Sequence, residues 1–174
     1  MSSSKHSSSH HRHHRQQSSK DSSKNSSSKR SYIQWVDKFD RDSAGLLVVT
    51  KAIVAGHTPF ASEQGSSVYV NHWCLYLSVS ETNTDGQLKP AGSVRLDMVP
   101  TGGNNGEAHL VISRLSFEVS NGVVCEVSAP AVPNLRASHV IDHLCTNGRQ
   151  RFQYGPKGLE CRHWTWQCVT DIGH

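Results

Sequence analysis

NHWCLYLSV, residues 71–79, decides how the rest of the chain is read. His72, Cys74, Tyr76 and Ser78 alternate with Trp73, Leu75, Leu77 and Val79, the period of two that sends side chains to opposite faces of a strand. The second set is the more apolar and belongs against a core. The first puts an imidazole, a thiol and a phenol on the less greasy side, which is where a reactive ring must stand.

Working outward, the texture from Gly45 to Ser128 is that of short β-strands. Runs rich in Val, Ile, Leu and Tyr (LLVVTKAIVAG from Leu46, SVYVNHWCLYLSV from Ser67, GSVRLDMV from Gly92, EAHLVISRLSFEV from Glu107, GVVCEVSA from Gly122) are separated by Gly, Asn, Asp and Pro clusters. The pattern predicts an antiparallel meander of about five strands. TNTDGQ (82–87) and TGGNNGE (101–107) supply residues that tolerate positive φ, and SNG (120–122) is expected to close a tight hairpin between the last two strands.

After Pro133 the period changes. Ala137, Val140, Ile141, Leu144 and Cys145 form one apolar helical stripe, with Gly148 just past its end as a C-cap. RFQY (151–154) is expected to add a strand, giving five to six in all. In the final segment Cys161, Trp164, Cys168 and Ile172 share one face of a second helix. The expected fold is α+β, an antiparallel sheet packed against two C-terminal helices.

Residues 1–31 contain fourteen Ser, five His and seven Lys or Arg against one acid, Asp21. Such a segment cannot bury enough apolar surface to offset its ordering entropy, so a disordered arm is expected over 1–31, a linker or short helix over 32–44, and a single domain over 45–174. The arm carries 7 − 1 = +6 of the whole-chain +4, leaving 4 − 6 = −2 on the rest. The basic character therefore belongs to the arm and not to a globular nucleic-acid-binding face. His10, His11, His13 and His14 could chelate a transition metal, without fixed geometry. No secretory signal or run of 18 apolar residues is present, which makes a soluble, intracellular and cytoplasmic protein the default expectation. Five cysteines in a reducing compartment read as free thiols.

The chemistry centres on GPKGLECRHWTWQC, residues 155–168, where Cys161 opens a helix directly after a Gly/Pro loop. A thiol there sits where backbone N–H groups and the helix dipole favour its anion. His72 is the best-placed base. His163, two residues on, projects about 200° around the helix and is expected to pack or hydrogen-bond near the sheet.

HWCLYL from His72 resembles the H-W-x-φ-Y-φ strand of the lecithin retinol acyltransferase-like proteins, and ECRHW from Glu160 is similar to their N-C-x-H-F box. Those proteins form a circularly permuted branch of the NlpC-type papain-like thiol enzymes, with the histidine strand first and the nucleophile helix last. The GSVRLDM strand and the ECRHW ending also resemble an uncharacterised fungal domain family. The resemblance implies Cys161 as nucleophile and His72 as general base. Its third polar residue lies on the strand after the histidine, where Asp97 is the candidate, with His109 and Asn71 as substitutes because sequence does not fix the register. Glu160 departs from the family's Asn, and an acid beside a thiol raises its pKa.

The expected function is a thiol hydrolase or acyltransferase acting on an amide, ester or thioester of an acyl, peptide or lipid substrate. The alternative is a catalytically silent papain-like domain that binds a partner. A zinc site of Cys161, His163, Cys168 and His174 matches no common spacing. Trp164 and Trp166 lack the basic rim of a nucleic-acid platform, so no specific nucleic-acid contact is expected, and Cys74, Cys125, Cys145 and Cys168 read as small hydrophobes. Nothing in the sequence identifies a cofactor, a metal or an oligomeric state.

Overall fold

A computed structural model of the chain describes residues 32–58, 60–61, 69–101, 106–155 and 161–173. The expected disordered arm and Glu160 lie outside the described residues. β5 (Trp73–Thr82) runs through the middle of a six-stranded sheet in which Leu75 and Leu77 are fully buried on one face and Cys74 and Tyr76 on the other. Its neighbours are β2 (Val48–His57) and β6 (Leu88–Pro100), both antiparallel to it. β7 (Ala108–Leu115) follows β6, β8 (Val123–Pro130) lies outside β2, and β1 (Ile33–Trp35) pairs parallel to β7, giving the order β1-β7-β6-β5-β2-β8. Two further short strands, β3 (Phe60–Ala61) and β4 (Tyr69–Val70), make a separate two-stranded ribbon.

The α+β expectation and the two C-terminal helices stand, while the path of the chain differs. SNG (120–122) does not close a hairpin, because β8 pairs with β2 at the opposite side of the sheet from β7. Turn residues encode a change of direction, not the partner. β2 would otherwise present a bare edge, and β8 saturates it. Residues 116–120 cross beneath the sheet to get there, as a strap pinned by side chains. Ser93 donates to the Phe117 carbonyl at 2.9 Å, Ser78 to Glu118 Oε1 at 2.7 Å and Tyr76 to Ser120 Oγ at 3.0 Å, while Lys51 Nζ stands 2.8 Å from Glu118 Oε1. Under it Ile53, Ala55, Cys74 and Tyr76 form a small second core with Leu115, Val119 and Val123 packed against it.

The segment expected as a linker or short helix holds two elements, β1 and α1 (Arg41–Leu46), the latter capped by Asp40, whose carboxylate accepts from the Ser43 N–H at 2.8 Å. A three-residue strand is too short to show a period, which is why the sequence hides β1. RFQY contributes only one bridge, Gln153 to Glu107, and is not a strand. The turn at 82–87 does join adjacent antiparallel strands, Asn83 Oδ1 accepting from the Asp85 and Gln87 amides, whereas residues 102–105 of the turn expected at 101–107 lie outside the described residues, between strands that pair antiparallel.

α2 (Ala137–Thr146) buries Ala137, Val140, Ile141 and Leu144, the predicted stripe, against the main core. Its end is a Schellman motif: Arg149 N–H reaches the Leu144 carbonyl at 2.9 Å and Gly148 N–H the Cys145 carbonyl at 3.0 Å, with Gly148 at φ +75°. α3 (Cys161–Ile172) buries Cys161, Trp164, Thr165 and Cys168 and packs on α2 and β5. His163 is exposed, contrary to the expectation that it would pack near the sheet. Cys125 is exposed as well, since β8 is an edge strand, so it is not the small buried hydrophobe expected.

The far end of α3 is clamped. Arg149 Nε and Nη2 donate to Asp171 Oδ2 and Oδ1 at 2.6 and 3.0 Å, and these bonds hold Asp171 below the usual carboxylate range. Arg149→Ala is expected to lower stability by about 1–2 kcal/mol in urea unfolding at pH 7. A depressed carboxylate pKa stabilises above the unfolded value and ceases to do so as pH falls through the folded one, so the deficit relative to the parent should shrink below about pH 4. A deficit that stayed constant from pH 7 to pH 3 would show that the ion pair is not its source.

Candidate active site

His72 stands immediately before β5 rather than within it. The β5–β6 register pairs Leu75 with Leu96, which sets Asp97 beside Cys74 on the strap face of the sheet. From there Asp97 reaches the ring: His72 Nε2–H donates to Asp97 Oδ1 at 2.7 Å, with the two side chains 29 % and 9 % exposed. The Asp97 bond first, and then the neighbouring Cys161 and Cys74 thiols, raise the His72 pKa well above the usual histidine range, so the ring is an imidazolium at neutral pH.

Cys161 is the first residue of α3 and is 6 % exposed, with its thiol donating to the Asn71 carbonyl at 3.4 Å. The structure thus brings Cys161, His72 and Asp97 together. The side chains of the two substitutes have other partners or positions. His109 pairs with Val99 on β7, and Asn71 turns its amide away to donate to the His57 carbonyl at 2.9 Å.

Sequence reasoning passed over two neighbours. Cys74, read as a small hydrophobe, offers its sulfur so close that ligand atoms of His72, Cys74 and Asp97 all lie within 4.8 Å of one another. His57 lies with its ring centroid 6.1 Å from that of His72, and its Nε2 meets the Tyr76 hydroxyl at 3.0 Å. Burial, and next the charge of His72, lower its pKa, which keeps it neutral beside the charged ring. The alternation that placed His72, Cys74 and Tyr76 on one face contained the signal for Cys74. His57 needed the β2–β5 register, in which Gly56 pairs with Trp73.

Arg95, on the same face of β6, holds its Nε 3.9 Å from Asp97 Oδ2, adding a second cation behind the carboxylate. A family model described as a domain of unknown function, DUF7770, matches residues 52–174. The chain belongs to the DUF7770 family. The match takes in His72, Cys74, Asp97 and Cys161 and leaves out β1, α1 and the first residues of β2. No curated protein and no solved structure matches the chain. The DUF7770 domain has, among its described residues, no helix long and apolar enough to cross a membrane.

Proposed function

We propose that this domain is a thiol-dependent acyl hydrolase or acyltransferase of the permuted papain-like type. The observation that carries the reading is one imidazole bonded to a carboxylate, with a thiol at a helix start close enough to raise that ring's pKa. A nucleophile, a base and an orienting acid need that set of contacts. The chain order, His72 first, then β-strands, then Cys161 opening α3, agrees with the permuted arrangement.

In the reaction the Cys161 sulfur attacks as its anion, with the His72 imidazolium as counter-charge. The sulfur attacks an amide, ester or thioester carbonyl, the C–S bond forms, and the N–H groups of the first turn of α3 receive the oxyanion. His72 gives its proton to the departing amine, alcohol or thiol as the old acyl bond breaks. The now neutral ring takes a proton from water or from a second nucleophile, which cleaves the thioester and frees the thiolate. Asp97 holds the ring in its tautomer and stabilises its charge.

A second reading, a silent binding domain, draws on the low exposure of Cys161 and its bond to the Asn71 carbonyl, which a structural thiol would also make. Iodoacetamide labelling of the full chain near pH 6 with EDTA present, followed by mass spectrometry, separates the two. An ordinary thiol is ionised by well under one per cent there. Cys161 is expected to react at least about tenfold faster than Cys125, despite the greater exposure of Cys125, and His72→Ala is expected to erase the difference. Slower labelling of Cys161 than of Cys125 at every pH would leave the silent domain standing.

A further inference from the structure

Acyl transfer by one thiol leaves Cys74 unexplained. It is 1 % exposed, it meets the same imidazole as Cys161, and it makes no contribution to the steps above. A buried thiol, a buried carboxylate and a half-buried imidazole whose ligand atoms already lie within 4.8 Å of one another form a different kind of centre. Tetrahedral zinc, with bonds of about 2.0–2.3 Å, spaces its ligand atoms roughly 3.3–3.8 Å apart, so closing on an ion takes a contraction of at most about 1.5 Å. The donor types also discriminate: sulfur and imidazole suit a borderline-soft cation, whereas calcium and magnesium want oxygen alone.

Two features prepare the three groups for an ion. Cys74 and Asp97 are held side by side by the paired strands β5 and β6, so their spacing does not depend on a loop. His72 Nε2 and Asp97 Oδ1 already meet at 2.7 Å, across a proton that an ion would displace. We infer that His72, Cys74 and Asp97 bind a zinc-class divalent cation as three protein ligands, leaving the fourth coordination position to water or an incoming ligand. The site shares residues with the thiol-enzyme reading but does not rest on it. Where both hold, an ion bound here ties up the His72 imidazole, and metal binding and acyl transfer exclude each other.

Cobalt(II) in place of zinc supplies a readout that does not need activity. The reduced full chain titrated with Co²⁺ is expected to show a near-ultraviolet thiolate-to-cobalt charge-transfer band that saturates at one equivalent and is bleached by Zn²⁺. His10, His11, His13 and His14 carry no sulfur and cannot produce that band, so metal held by the arm does not interfere. Cys74→Ala is expected to remove the band, His72→Gln to weaken cobalt binding by more than about tenfold, and Cys125→Ser to leave both unchanged. Circular dichroism shows whether Cys74→Ala still folds; should it not, Asp97→Asn with the same expected loss of affinity replaces it. Absence of a thiolate band, or a band that survives Cys74→Ala and His72→Gln intact, overturns the site. Because alkylation is read in EDTA, failure of the cobalt experiment leaves the thiol-enzyme reading untouched, and failure of the alkylation experiment leaves the cobalt result standing.

Discussion

Trp164→Ala is expected to remove about 3–5 kcal/mol of stability, a large part of what a domain of this size possesses. The indole is fully buried in the main core, and its Nε1–H donates to the Arg149 carbonyl at 2.8 Å, tying the middle of α3 to the residues that cap α2. Alanine would leave a large cavity and an orphaned carbonyl at once. The functional consequence follows from position, because Trp164 lies one turn after Cys161 on the same buried face. Urea unfolding should show a large fall in midpoint. A loss under about 1 kcal/mol would mean that α3, and Cys161 with it, is anchored by something other than this residue.

Gly92→Ala is expected to cost roughly 3 kcal/mol or more. Gly92 has φ +80°, and a Cβ there would lie 2.0 Å from the Leu115 carbonyl oxygen and 2.8 Å from the Ser116 carbonyl carbon. Both are backbone atoms at the point where the chain leaves β7 to become the strap, so neither can swing aside. Gly86 provides the control. It has nearly the same φ, +75°, in the β5–β6 turn, with nothing within 4 Å of the added carbon. Gly86→Ala should lose only the left-handed penalty, about 1 kcal/mol. Equal losses at the two positions in urea unfolding would show that conformation alone, and not the close passage of the strap, makes Gly92 necessary.

The helices and the faces of β5 were legible because each rests on a period that a single segment displays. Ala137, Val140, Ile141 and Leu144 announce α2, and Leu75 and Leu77 announce the main core, with no knowledge of their partners. Strand order was not legible. Val123–Pro130 reads as a strand wherever it pairs, and its place beside β2 depends on long-range burial and on the strap's bonds to Ser93, Ser78 and Tyr76. The candidate site divides in the same way. His72 and Cys161 stand out by local context, at the head of an alternating run and at the start of a helix. The nearness of Asp97 to His72 hangs on the pairing of Leu75 with Leu96, and a slip of one residue would turn that carboxylate to the helices. Cys74 was hidden by its own ordinariness, since a buried thiol in a strand reads as a methyl-sized filler until its neighbours are known.

The likeness to DUF7770 begins at residue 52, yet β2 begins at Val48 and the core already includes Phe39, Ala44 and Leu47. Trimmed to the shared stretch, the chain would start partway along an inner strand. It would also surrender the short helix that shelters that end of the interior, and the parallel strand that closes the rim of β7. The smallest piece able to roof its own interior therefore opens at β1, well ahead of the point from which kinship can be recognised.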